Sequence, residues 1–104
     1  MVSPDIPLTE TMFYILLVLH QPLHGYGITQ AVAGLTGGRV SLGAGTLYGA
    51  LKVMNERDWI ELRGPASGPR NKKEYVITEK GREVYAREVE RLREALRNAE
   101  ELED

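Results

Sequence analysis

A mainly helical chain with one small β-hairpin is what the sequence predicts, and three observations carry the prediction. Apolar residues recur at helical spacing in four separated stretches. Two alternating segments, 59–63 and 73–77, flank a run rich in glycine and proline. The length of 104 residues suits one small hydrophobic core and little more.

Each element has its own local reason. Pro4 and Pro7 keep residues 1–7 out of regular structure. Thr9 is placed to cap a first helix running to about residue 19. That helix is apolar nearly all round (Met12, Phe13, Ile15, Leu16, Leu17, Val18, Leu19), so more than one of its sides is expected to be covered, the second by another subunit. Pro22 ends it. A second helix is expected over 25–35, with Ile28, Val32 and Leu35 as its buried stripe, stopped by Gly37 and Gly38. Residues 39–42 alternate and are expected to form a very short strand. After the tight turn Gly43-Ala44-Gly45, a third helix is expected over 46–57, burying Leu47, Leu51 and Met54. Asp58 closes it, and Trp59 is a packing residue that opens the hairpin. Thr78 caps the last helix, expected to continue almost to the end of the chain. Tyr85, Val89, Leu92, Leu96 and Ala99 are spaced 4, 3, 4, 3 along it, a heptad seam too short for a free-standing coiled coil. The expected partner of that seam is the first helix of a second copy.

Three helices, a hairpin and a long helix make the winged helix-turn-helix arrangement, in which the third helix enters a major groove and the hairpin tip lies against the backbone. We therefore divide the chain into a winged helix-turn-helix domain over 1–78 and a dimerisation helix over 79–104.

The net charge of −2 conceals a segregation. Residues 1–38 carry only Asp5 and Glu10. Residues 39–73 carry seven basic side chains against three acidic ones, and residues 74–104 carry six basic against ten acidic. A basic middle within an acidic chain suggests one surface for a polyanion. The absence of cysteine excludes disulfides and thiolate metal sites and fits a cytoplasmic location. The longest apolar run falls well short of the ~20 residues that cross a bilayer, and no basic segment precedes it. Neither a membrane anchor nor a signal peptide is expected.

On the third helix, Gly45 and its neighbours leave room for a phosphate to approach backbone N–H groups. Thr46, Tyr48, Gly49 and Lys52 occupy the face opposite the apolar stripe. On the hairpin, Arg63, Arg70, Asn71, Lys72 and Lys73 cluster near the tip, where they can reach phosphates or a minor groove. Among the phenols, Tyr48 is read as a contact residue, Tyr14 as core, and Tyr26 is left open between the two. His20 and His24 are separated by Pro22 and have no obvious third ligand, so no metal site is expected. No constellation supports catalysis, and no cofactor is expected.

The chain resembles the PadR family of bacterial transcriptional regulators in its short form. The resemblance lies in Leu8-Thr9 through Leu19, Pro22-Leu23-His24-Gly25-Tyr26-Gly27-Ile28, Gly45-Thr46-Leu47-Tyr48-Gly49-Ala50-Leu51, Trp59-Ile60-Glu61 and Lys73-Glu74-Tyr75-Val76-Ile77-Thr78-Glu79-Lys80-Gly81. It implies a homodimer on a palindromic operator in double-stranded DNA, usually a repressor, released in some members by a small-molecule effector. It implies dimerisation through Phe13, Leu16 and Leu17 of the first helix and Tyr85, Val89, Leu92, Leu96 and Ala99 of the last. By motif, Thr46 and Tyr48 match the recognition helix, Tyr26 the tyrosine near the DNA backbone, and Lys73 the basic return strand. Asp58 departs from the small glycine usual at its position and is expected to disfavour the left-handed turn there. The short final helix makes the internal drug pocket of larger members unexpected. A winged-helix module that binds protein rather than DNA is the alternative, since the third helix carries only Lys52 and Arg57 as cations.

Overall fold

The computed structural model describes residues 5–64 and 73–103. Its elements in chain order are α1 (Glu10–Val18), α2 (Gly25–Thr36), α3 (Ala44–Glu56), β1 (Ile60–Arg63), β2 (Glu74–Ile77) and α4 (Glu79–Glu103). This is a mainly helical winged helix-turn-helix with one two-stranded antiparallel sheet.

The caps expected from the sequence are in place. Thr9 Oγ1 accepts the Met12 N–H at 3.1 Å and starts α1. Thr78 Oγ1 accepts the Gly81 N–H at 3.0 Å and starts α4. The start of α2 is capped by His24, which was not among the expected caps: its Nδ1 accepts the Gly27 N–H at 3.2 Å. Helix α3 begins two residues earlier than expected, so Ala44 and Gly45 belong to its first turn rather than to a preceding turn.

The end of α3 overturns one expectation. Asp58 does adopt the left-handed conformation, at φ 62°. The Trp59 N–H donates to the Met54 carbonyl at 2.9 Å and the Asp58 N–H to the Asn55 carbonyl at 3.1 Å, the paired bonds of a Schellman cap. Those bonds, and the 2.6 Å bond from Thr78 Oγ1 to the Asp58 carbonyl, hold an aspartate where a glycine would sit without strain. Trp59 itself is fully buried, with Arg57 stacked over its ring at 5.2 Å and its indole N–H unpartnered among the described residues.

The core joins Ile15, Leu16 and Leu19 of α1, Ile28 and Val32 of α2, Leu47, Leu51 and Met54 of α3, Trp59, Ile60 and Ile77 of the hairpin, and Val84 of α4. Burying each large aliphatic side chain is worth about 1.5–3 kcal/mol, so these residues supply most of the driving force. The hairpin is in register Ile60↔Ile77 through Arg63↔Glu74. It is extended by an isolated bridge: Leu23 and Tyr75 exchange N–H···O=C bonds of 3.0 and 2.8 Å, which lays the α1–α2 connection along β2.

Three further expectations are corrected. Residues 39–42 do not form a strand. Val40 and Leu42 alternate inward into the core, but the Val40 N–H is taken by Thr36 Oγ1 at 3.0 Å and no ladder partner lies alongside among the described residues. Their alternation records burial alone. Leu35 is exposed rather than part of the buried α2 stripe; it lines an open apolar cleft with Leu17, Val18 and Leu23. Leu16, read as a dimerisation residue, is 0% exposed within its own chain and belongs to the core.

The start of α4 packs on α1 and the hairpin through Gly81, Val84 and Glu88. A Cβ at position 81 would strike the Trp59 carbonyl oxygen, so only glycine lets the helix approach this closely. Glu88 is 2% exposed yet satisfied, accepting the Leu8 N–H at 3.1 Å and two bonds from Arg91 at 2.6 and 3.0 Å. From Leu92 onward, every described residue of α4 is exposed. No described helix is long and apolar enough to cross a membrane.

Candidate nucleic-acid interface

One side of α3 faces away from the core. Leu47, Leu51 and Met54 fill the inner stripe, which leaves Gly45, Thr46, Tyr48, Gly49 and Lys52 on the outside, all exposed. Their spacing puts Gly45, Tyr48, Gly49 and Lys52 along one line of the helix surface. Gly43 caps α3 with no side-chain hydrogen bond, so among the described residues the first N–H groups of α3 are left open to an external acceptor.

Tyr48 leans back from this line toward the start of α2, and its hydroxyl lies where a Cβ on Gly25 would fall, so a side chain there would have to displace the phenol. Around that contact lies a cleft of about 290 Å³ lined by His24, Gly25, Tyr26, Tyr48, Lys73 and Tyr75. Elements distant in sequence meet here: the start of α2, the outer face of α3, and the start of β2. Tyr26 is 68% exposed and Tyr48 52% exposed, so neither phenol is a core residue. Burial, and the neighbouring Tyr48, push the Tyr75 phenol above its ordinary value and keep it protonated. The Tyr14 ring, by contrast, packs edge-on against Phe13 next to the core, as expected.

The hairpin contributes Arg63 at the end of β1 and Lys73 just before β2, both exposed. Neither these nor Lys52 forms an ion pair with the described residues. Arg70, Asn71 and Lys72 lie outside the described residues. Arg39, which contributed to the basic middle of the sequence, is turned elsewhere: it forms a bidentate pair with Glu10 at 2.9 and 3.0 Å. That pair holds the Glu10 carboxyl below the usual carboxylate range. Some charges of the last helix are likewise paired within it, as Glu88–Arg91, Glu90–Arg93 and Glu90–Arg97.

A second surface runs along α1 and α4. Phe13 stacks on Tyr85 at 5.4 Å, and Tyr85 meets the His20 ring edge at 4.8 Å. Phe13, Leu17, Tyr85 and Val89 are half-buried within the chain, while Leu92, Leu96 and Ala99 are exposed; Leu96 is 59% exposed. Among the described residues no group of side chains could hold a metal ion.

Sequence reasoning missed His24, Gly25 and Tyr75 as parts of the cleft. His24 was weighed only as a metal ligand, although its place immediately before a glycine-led helix was an available sign of a cap. Tyr75 gave no sign, because its place in the cleft follows from the pairing with Leu23.

Comparison with curated protein sequences finds no match. Among solved structures the chain is similar to a transcriptional regulator from Clostridium thermocellum, at 17% identity and a TM-score of 0.73, covering 88% of this chain and 90% of that one. It is similar to a PadR-family transcriptional regulator from Eggerthella lenta, at 22% identity and a TM-score of 0.68, over 86% and 72% of the two chains. It is also similar to Bacillus subtilis PadR in complex with operator DNA, at 26% identity and a TM-score of 0.65, over 75% of this chain and 46% of that one. The sequence profile of the transcriptional regulator PadR-like family matches residues 15–87, from α1 through the first turns of α4. The chain belongs to the PadR-like family of transcriptional regulators.

Proposed function

We propose that this chain is a cytoplasmic, sequence-specific DNA-binding regulator acting as a homodimer, a repressor rather than an enzyme. The observation that carries the reading is the outer face of α3, where Thr46, Tyr48 and Lys52 stand exposed with Arg63 and Lys73 free of the described carboxylates. Placed in a major groove, that face would present donors to base edges and phosphates, and the hairpin would reach the adjacent backbone with Arg63, Arg70, Asn71, Lys72 and Lys73. Tyr26 and the open N–H groups at Gly45 would take further phosphates. The operator complex of the Bacillus subtilis relative supports the reading by analogy.

The exposed seam Leu92, Leu96 and Ala99, with the half-buried Phe13, Leu17, Tyr85 and Val89, is the dimerisation surface of this proposal. A two-fold pair would set its recognition helices about one DNA turn apart, on a palindromic operator. Release by a small-molecule effector, which the family resemblance implies, would act on the distance between those helices.

Binding to duplex DNA across a salt series tests the reading. Several phosphate contacts make affinity fall by orders of magnitude over a few-fold rise in salt. Sequences selected from a random pool would then show a two-fold symmetric consensus. Weak binding with little salt dependence would instead favour a protein-interaction module.

A further inference from the structure

We infer that His24 is itself a DNA-backbone contact, presenting a neutral imidazole N–H to a phosphodiester in the cleft it shares with Tyr26, Tyr48 and Lys73. The inference rests on the DNA-binding reading above and adds to it a residue and a protonation state.

The argument starts from the cap of α2. His24 Nδ1 accepts the Gly27 N–H at 3.2 Å, and an imidazole nitrogen that accepts carries no proton. The ring proton of the neutral tautomer therefore sits on Nε2. Among the described residues that Nε2 has no hydrogen-bond partner, although the side chain is half-buried. A residue needed only as a cap would be served as well by serine, aspartate or asparagine. The imidazole does something those cannot: it satisfies the helix with one nitrogen and offers a fixed donor with the other. The cap locks the ring, so the donor is ordered before a ligand arrives.

The surroundings set the ligand class. The polar side chains lining the cleft are His24, the phenols of Tyr26, Tyr48 and Tyr75, and the ammonium of Lys73, all able to donate. Among the described residues, no carboxylate lines it. A group that accepts several hydrogen bonds and carries negative charge fits that lining, and a phosphodiester on the same side as the α3 contact face is such a group.

The test uses the full-length protein and generic duplex DNA across a salt series. His24→Asn keeps a side-chain acceptor for the Gly27 N–H but withdraws the Nε2 donor; His24→Asp keeps the cap and adds a negative charge. Expected are a roughly tenfold loss for His24→Asn and a larger loss for His24→Asp, with both variants folded by circular dichroism. Because the donor is neutral, His24→Asn should leave the log–log salt slope at its wild-type value. Lys73→Ala should reduce that slope by about one. In imidazole ¹⁵N spectra of the wild type, the Nε2–H tautomer should be present and its Nε2 signal should move on adding duplex but not on adding the same concentration of inorganic phosphate. Wild-type affinity in both His24 variants would overturn the inference while leaving DNA binding intact, as would an Nδ1–H tautomer. Absence of duplex binding by the wild-type protein would remove both the inference and the reading beneath it.

Discussion

Replacing Gly81 by alanine pits two physical effects against each other, and the structure decides which wins. Gly81 lies in the first turn of α4, and helix propensity alone would favour alanine by about 1 kcal/mol. The added methyl, however, would strike the Trp59 carbonyl oxygen and lie 2.8 Å from Ile77 Cγ1 and 3.0 Å from the Trp59 carbonyl carbon. Ordinary carbon contacts are about 3.5–4.0 Å, so α4 must retreat from the hairpin by roughly 1 Å. Two bonds pin it where it is: Thr78 Oγ1 to the Asp58 carbonyl at 2.6 Å, and the Thr78 N–H to the Trp59 carbonyl at 2.9 Å. Losing both costs about 2 kcal/mol, and overpacking adds about 1–3 kcal/mol. After the propensity gain, the net destabilisation is about 2–4 kcal/mol. For a domain of this size that lowers Tm by roughly 10–20 °C in a thermal melt followed by circular dichroism at fixed protein concentration. Gly34→Ala is the control, since it is exposed in α2 with nothing within 4 Å of a new Cβ; it should raise Tm by a few degrees. Equal or higher Tm for Gly81→Ala would refute the close approach of α4 to Trp59.

Asp58→Gly should stabilise the fold by about 0.5–1 kcal/mol, because glycine takes φ 62° without steric strain; a lower urea midpoint would count against this. Glu88 should make stability acid-sensitive. Hydrogen bonds from Arg91 hold its carboxyl below the ordinary value, helped by the Leu8 N–H and opposed by burial, so its contribution is complete above about pH 4.3 and is lost as pH falls through the lower folded value. Denaturant midpoints of the wild type and Glu88→Gln should therefore converge in acid, and a constant gap between them would exclude the linkage. Leu96→Asp should give monomers in sedimentation, with an unchanged dimer ruling out the exposed seam of α4 as the subunit contact. Lys52→Ala should keep Tm, weaken duplex binding and reduce its salt slope by about one, whereas wild-type binding would remove α3 from the interface.

Much of the fold was legible from local chemistry. Thr9 and Thr78 announced their helices, Leu47, Leu51 and Met54 their buried face, and the alternation of 59–63 and 73–77 the hairpin, because helix periods, strand periods and caps are set by residues within a few positions of one another. Tertiary structure alone decided the rest. Val40 and Leu42 alternate like a strand, but no neighbouring backbone among the described residues offers them a ladder. Arg39 looked like part of a basic surface until Glu10 neutralised it. Leu16 and Leu17 are alike in sequence, yet one is sealed in the core and the other half-exposed. His24, Tyr48, Lys73 and Tyr75 became one cleft only when Leu23 and Tyr75 paired. Charge and burial depend on what the folded chain places opposite a residue, and a sequence order carries that information only weakly.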